Sequence, residues 1–198
     1  MKKRILIVID MQEDFIYGAL GSEAARAIVP NIKEKIQNYI ANGNEVIFTR
    51  DTHFNDYLET QEGKKLPVPH CIHATEGWEV ISELDRPTCR HIDKVSFGTL
   101  AWQNVLNTVP SDVSIELCGV CTDICVVSNC LVLKTLYPEI PIVVDASCCA
   151  GTSYEAHAAA LTHFLRNEGV GPEDWPAADI DYLIGQLQEA TENLGGDY

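Results

Sequence analysis

An α/β fold organised on a parallel sheet is predicted by three features of this 198-residue sequence. The run Arg4-Ile-Leu-Ile-Val-Ile-Asp10 is apolar at almost every position, the pattern of a parallel strand covered on both faces. Residues 22–42 carry Ala25, Ile28, Ile32, Ile36, Tyr39 and Ile40 at helical spacing, and residues 44–50 then read as a second strand. Strand, helix and strand make one crossover unit, expected to be right-handed. Three further strand-like runs follow, at 90–94, 113–117 and 142–145, separated by helical or turn segments. A single domain spanning 1–198 accounts for the length.

The elements can be justified in order. Ser22 is placed to cap the first helix, Pro30 to kink or restart it, and Gly43 to stop it. Residues 77–84 are short and amphipathic and predict a helical turn. The strand at 90–94, Arg-His-Ile-Asp-Lys, is less apolar than the others and belongs nearer an edge. A short helix is expected at 100–106. Residues 122–137 are apolar on most faces, which suits a helix packed against the sheet or a partner subunit. Pro138 and Pro141 end it. Residues 146–153 read as a small-residue loop that packs Cys148 and Cys149. A last helix at 154–167 puts Ala158, Leu161 and Leu165 inward, with Gly169 closing it. Residues 170–198 form an acidic C-terminal extension with one more amphipathic helix around Ile180, Leu183, Ile184 and Leu187.

Composition narrows the function. With 14 Lys+Arg against 29 Asp+Glu, the formal net charge is -15. That field repels nucleic acid and anionic membranes, and the run Ile5 to Ile9 is too short to cross a bilayer. Met1-Lys-Lys-Arg resembles the start of a signal peptide, but Asp10, Glu13 and Asp14 interrupt the apolar stretch that should follow. A cytoplasmic protein is expected. The eight cysteines (71, 89, 118, 121, 125, 130, 148 and 149) are then expected to be reduced thiols.

Three strand ends carry groups with chemical potential. Cys125 follows the fourth strand at the start of a helix, where unpaired N–H groups and the helix end stabilise negative charge and lower a thiol pKa. It is a candidate nucleophile; a buried core cysteine is the competing reading. Asp10 and Lys94 also stand at strand ends, where open α/β sheets bind ligands, although each could be a solvated surface charge. Beyond the second strand, Asp51 and His53 lie two apart and point to one side of an extended segment. A loop could return Glu62 and His70 to them. Two imidazoles and two carboxylates suit zinc, manganese or iron better than calcium; polar surface residues are the alternative.

Taken together, Ile9-Asp-Met-Gln-Glu-Asp-Phe15, Asp51-Thr-His53, His70-Cys71, Lys94-Val-Ser-Phe97 and Gly119-Val-Cys-Thr-Asp-Ile-Cys125-Val126 resemble the isochorismatase-like cysteine hydrolases, and among them the nicotinamidases. The matches run in order from residue 4 to about residue 165. The resemblance implies a three-layer α/β/α fold with a doubly wound, mainly parallel sheet. It implies a triad of Asp10, Lys94 and Cys125, and a cis peptide between Val120 and Cys121 that aims the backbone N–H groups of Cys121 and Cys125 at an oxyanion. It further implies a divalent metal, zinc first with manganese or iron as alternatives, on Asp51, His53 and His70. Glu62 is the expected fourth ligand, with Glu59, Asp56 or Tyr57 as rivals. Phe15 is the candidate for an aromatic wall beside the substrate ring. Two positions depart from the pattern: Glu13 stands where Asn is usual, and Cys121 where a small residue such as Ala is common.

The implied reaction is hydrolysis of a small-molecule amide, nicotinamide to nicotinate and ammonia, through a thioester. A carbamoyl, ureido or other small amide is the alternative substrate. A non-catalytic thiol-redox or metal-binding protein is the alternative class. The apolar helix after Cys125 and the acidic tail also suggest a homo-oligomer.

Overall fold

In the computed structural model, residues 3–106 and 113–167 are described, the side chains of 163–167 excepted. The expected helix in the acidic tail, and Gly169, lie outside the described residues. The chain divides into two units, and apart from the last residues of the helix Tyr154–Asn167 everything below concerns the first, Met1–Ala160.

Five strands form one parallel sheet: β1 Arg4–Ile9, β2 Glu45–Asp51, β3 Arg90–Lys94, β4 Ser114–Val120 and β5 Ile142–Ala150, in the order β3-β2-β1-β4-β5. Helices flank it: α1 Glu13–Ile16, α2 Glu23–Ala27, α3 Val29–Ala41, α4 Trp102–Val105, α5 Val127–Leu136 and α6 Tyr154–Asn167. β1, covered on both sides, has no exposed surface from Ile5 to Ile9, which is why its sequence lacks the alternation of a half-exposed strand. The chain winds from β1 out to β3, then returns to the far side of β1 as β4. The order therefore reverses between β1 and β4, and the carboxyl ends of these strands open the crevice in which such sheets bind ligands. No helix among the described residues is long and apolar enough to cross a membrane.

The local signals of the first helical region are realised one by one. Ser22 accepts the N–H of Ala25 at 3.0 Å, α2 stops at Ala27, the helix restarts at Val29 with Pro30 in its first turn, and Gly43 (φ 70°) ends it. β3 is an edge strand, as its composition predicts. β4 runs past Leu117 because Gly119, at φ 117°, lets it press against β1: a Cβ there would lie 2.1 Å from the carbonyl oxygen of Ile9.

Three expectations need correction. Residues 146–150 belong to strand β5, not to a loop: Cys149 and Ala150 pair with Gly119 and Val120 after an irregularity in register, where Ser147 folds back onto the Asp145 carboxylate. The helical turn expected at 77–84 is split in two: a 3₁₀ turn at Glu76–Trp78 and a second turn in which Leu84 and Asp85 donate their N–H groups to Ile81; between them Val80 bridges to Gln12 and Ile81 donates its N–H to Met11, which interrupts helical geometry. Helix α5 opens with a π-helical turn, Thr122–Val126, before regular geometry begins at Val127.

One polar cluster crosses the core away from the strand ends. Glu116, 7% exposed on β4, accepts hydrogen bonds from Arg4 (2.7 Å), Lys35 and Tyr39, and Lys35 also meets Asp145 at 2.6 Å. Burial alone would raise Asp145, but its bonds to Lys35 and Ser147 hold it below the usual carboxylate range. Its stabilising contribution is therefore present above the unfolded-state value and is lost as pH falls through the lower folded-state value. Replacing Glu116 by Gln leaves Lys35 and Tyr39 short of their charged partner. The expected loss is about 2–4 kcal/mol in urea unfolding, somewhat below that of a fully buried pair because Lys35 keeps Asp145. Unfolding of Glu116→Gln at the wild-type midpoint would contradict this.

Candidate active site

Four strand ends converge on one ammonium group. Lys94, the last residue of β3, has a side chain with no exposed surface, and its Nζ lies 2.7 Å from Asp10 Oδ2, 3.1 Å from Asp51 Oδ1 and 3.4 Å from Cys125 Sγ. A buried lysine is tolerated only when paired; two carboxylates more than offset its desolvation and hold its pKa above the ordinary value. Asp10 terminates β1 in a left-handed conformation, φ 50°, which a non-glycine residue adopts only when its surroundings hold it there. Thr49 on β2 does so from both sides. Its hydroxyl donates to Asp10 Oδ1 at 2.7 Å and accepts the Asp10 N–H at 3.2 Å. Burial raises the Asp10 pKa, with Lys94 opposing.

Cys125 lies in the π-helical turn, 5% exposed, and its sulfur accepts a hydrogen bond from Lys94 Nζ at 3.4 Å. The expected lowering of its pKa does not occur. Burial and the Asp10 charge push the thiol well above its usual range, and Lys94 offsets only part of this. Both effects work against a preformed thiolate at Cys125. Asn129, one turn further on, is fully buried: it donates to the carbonyls of Cys125 (2.8 Å) and Phe97 (2.9 Å) and accepts the Trp102 indole N–H (2.9 Å). The Val120–Cys121 peptide is cis, as expected. Cys118 and Cys121 have Cys-x-x-Cys spacing, yet all eight thiols are free. Cys118 faces Cys148 and Cys149, whereas Cys121 feels Asp123, Asp10 and Lys94 and is pushed up to about 12, chiefly by burial.

The second half of the site hangs on β2 and the loop after it. Asp51, His53, Glu62 and His70 place one donor atom each within 4.8 Å of one another. His53 Nε2 is 3.1 Å from Asp51 Oδ2 and 3.7 Å from Glu62 Oε1; His70 Nε2 is 3.9 Å from both carboxylates. A tetrahedral ion with bonds of about 2.0–2.1 Å sets its ligand atoms roughly 3.3 Å apart, so this set fits one with small adjustments. His70 Nδ1 donates to the Val68 carbonyl at 2.8 Å, which leaves Nε2 as the lone-pair atom facing the others. Burial lowers the His53 pKa, but Asp51 and Glu62 more than reverse this. Asp51 is held low by His53 and Lys94 against the cost of its burial. Among the rivals to Glu62, Tyr57 is turned away: its hydroxyl donates to Leu66 at 2.9 Å while its ring packs edgewise on both imidazoles. Phe15 lies against His70, with ring centroids 5.5 Å apart.

Two supporting residues come from the segment after β1, and the sequence reading assigned neither a role. Gln12, fully buried, donates to the carbonyls of Asp51 (2.9 Å) and Trp78 (2.8 Å) and accepts the Asp51 N–H (2.7 Å). Asp14 accepts the N–H of Cys71 at 2.7 Å, fixing the residue after His70 in its left-handed conformation, φ 46°. The signal for both was their place in the motif that begins at Asp10.

Fold and site together set a buried thiol, a buried carboxylate and a candidate metal centre side by side in an α/β protein, the arrangement of a hydrolase. The Isochorismatase domain family matches residues 4–171, and the chain belongs to that family. It is similar to the crystal structure of nicotinamidase PncA from Bacillus subtilis (29% identity, TM-score 0.73, 86% of this chain and 98% of that one). It is likewise similar to a pyrazinamidase/nicotinamidase from Streptococcus mutans (28%, 0.73, 85% and 98%). A zinc complex of a pyrazinamidase from Pyrococcus horikoshii, at 24% identity and TM-score 0.71 over 83% of this chain and 96% of that one, shares the fold.

Gln12→Met removes three buried hydrogen bonds and leaves two carbonyls and one N–H of the Asp51 region unpaired. Stability should fall by about 2–4 kcal/mol, and divalent-ion affinity by roughly tenfold or more. Titration with zinc against a chromophoric chelator checks the second; unchanged affinity would show that Asp51 does not depend on Gln12.

Proposed function

We propose that the protein is a metal-dependent amidohydrolase that converts nicotinamide and water to nicotinate and ammonia, using Cys125, Asp10 and Lys94. The observation that carries this reading is the convergence of Lys94 Nζ on Asp10, Asp51 and Cys125 within 3.4 Å, beside a donor set that fits a divalent ion. The similarity to nicotinamidases at 28–29% identity supports the choice of substrate.

An amide is a poor electrophile and needs a strong nucleophile, a base and a stabilised oxyanion. Asp10 takes the Cys125 proton as sulfur attacks the carbonyl carbon. The raised Asp10 pKa suits a group that must accept that proton and then return it. Lys94 keeps its charge throughout and stabilises the thiolate as it forms. The backbone N–H groups of Cys121 and Cys125 are assigned to the oxyanion. Collapse of the tetrahedral intermediate breaks the C–N bond, Asp10 protonates the leaving nitrogen, and ammonia departs. Water, deprotonated by Asp10, then cleaves the thioester and restores the thiol. Asp51, His53, Glu62 and His70 would hold the ion, zinc with manganese or iron as alternatives. When bound it supplies a Lewis-acid position that orients the substrate ring through its nitrogen. Phe15, tilted against the His70 ring, would form part of the ring's wall.

Ammonia release from nicotinamide is the direct test. Wild type should turn over, Cys125→Ala should lose at least about 10³-fold in kcat, and chelation should raise KM more than it lowers kcat. Mass spectrometry should find an acyl adduct on the Cys125 peptide after rapid acid quench. Activity that survives Cys125→Ala would end the mechanism. Hydrolysis of carbamoyl or ureido compounds, but never of nicotinamide, would change the substrate and keep the triad.

A further inference from the structure

We infer that His157 is a positioning residue for the nucleophile turn, acting through Thr122, and that the junction between β5 and α6 is the clamp that holds this turn. The inference rests on the reading of Cys125 as nucleophile. Thr122 and Asp123 lie between Cys121, assigned to the oxyanion, and Cys125 itself. Both are gripped from the same side. The Thr122 hydroxyl, on a residue with no exposed surface, is 2.7 Å from His157 Nδ1. Asp123 accepts the Thr152 N–H at 2.8 Å through Oδ1 and the Thr152 hydroxyl at 2.6 Å through Oδ2.

Gly151 makes the close approach possible. A Cβ at this position would lie 2.7 Å from Asp123 Oδ1, 2.8 Å from His157 Cβ and 3.0 Å from His157 Cα. Its backbone is not in the left-handed region, so space alone requires glycine here. Burial keeps His157 below its ordinary pKa, so its imidazole is neutral and Nδ1 can pair with a hydroxyl in either direction. These hydrogen bonds join the turn to residues 151–157, whereas the candidate metal ligands hang on β2 and its loop. Loosening the clamp should therefore displace Cys125 and its neighbouring N–H groups while leaving Asp51, His53, Glu62 and His70 in place. Ångström-scale misplacement of a reacting group costs up to about 10²-fold in rate.

The test compares His157→Leu, His157→Asn, Gly151→Ala and Thr122→Val with wild type and Cys125→Ala. Asn can present a polar atom near the position of Nδ1, and Val keeps the shape of Thr, so the second and fourth variants serve if Leu at 157 prevents folding. His157→Leu, Gly151→Ala and Thr122→Val should lower kcat on nicotinamide by about ten- to a hundredfold. KM and zinc bound per chain should stay near wild type, and His157→Asn should recover most of the loss. Iodoacetamide labelling of Cys125, followed by peptide mass spectrometry without substrate, should quicken several-fold in the three loosened variants. A His157→Leu enzyme with wild-type kcat and wild-type labelling, beside an inactive Cys125→Ala, overturns this inference alone. Failure of His157→Asn to do better than Leu also overturns it, since shape and packing would then account for the loss. A Cys125→Ala protein that still hydrolyses nicotinamide overturns both this inference and the reading beneath it.

Discussion

The ammonium of Lys94 is the constraint around which this structure is arranged. A lysine side chain with no exposed surface carries a desolvation cost of several kcal/mol unless anions reach it. Asp10 and Asp51 reach it from β1 and β2, and Cys125 from the turn after β4. These groups can meet only if β3, β2, β1 and β4 lie side by side and parallel, with their carboxyl ends at one level. The strand order supplies that level, and placing β4 on the far side of β1 opens the crevice there. The charge thus makes the register of four strands and the integrity of the site one problem. Removing either carboxylate would leave a charge in the core with too little compensation.

Asp51 links the two halves of the site. One carboxylate oxygen faces Lys94 and the other faces His53 and His70. Its backbone is held by Gln12, and the loop that returns His70 is held by Asp14. Asp10, Gln12, Asp14 and Phe15 all come from one short segment, in which α1 begins at Glu13. The tight turn at Asp10, with its left-handed backbone, lets side chains of this one segment reach Lys94, the end of β2, the loop at Cys71 and the His70 ring. Glu13, the position that departs from the family pattern, is only partly buried and makes no contact with the groups around Lys94 among those described. Its substitution for Asn is accommodated at the rim.

Much of this was legible in the sequence, for physical reasons that can be named. A strand buried on both faces must be apolar throughout, so β1 announced itself, and a charged residue at its end marked a candidate, with a solvated carboxylate as the alternative. The cap at Ser22, the restart at Pro30 and the stop at Gly43 are local chemistry and were realised locally. The spacing of Asp51 and His53 showed a shared side, but only the returning loop could show that Glu62, and not its neighbours, completes the set. What sequence did not reveal depends on distant partners. Residues 146–150 look like a loop because they are small, yet Gly119 and Val120 recruit them as strand. The helix end beside Cys125 suggested an acidic thiol, whereas burial and the Asp10 carboxylate dominate its ionisation. The roles of Thr49, Gln12 and Asn129 are written in hydrogen bonds to residues 27–66 positions away, which no local pattern encodes.

A thiol whose burial and neighbours oppose ionisation changes how the proposed chemistry should be understood. With a preformed thiolate, the enzyme's task would be to keep the nucleophile charged, and Lys94 would be the decisive residue. In the proposed mechanism, with burial and Asp10 opposing ionisation of the thiol, the proton would move to Asp10 only as the new C–S bond forms, and the charge that appears on sulfur would pass at once to the amide oxygen. Lys94 then acts less by lowering one pKa than by keeping the whole Asp10–Cys125 pair electrically balanced in a dry site, where an isolated charge would be costly. Such a site gains from rigidity on both sides of the lysine: Thr49 fixes Asp10, and Asn129 fixes the carbonyl of Cys125 and the loop at Phe97. Reactivity here is a property of placement. The same thiol moved away from Asp10 would be an ordinary buried cysteine, like Cys118 a few residues before it.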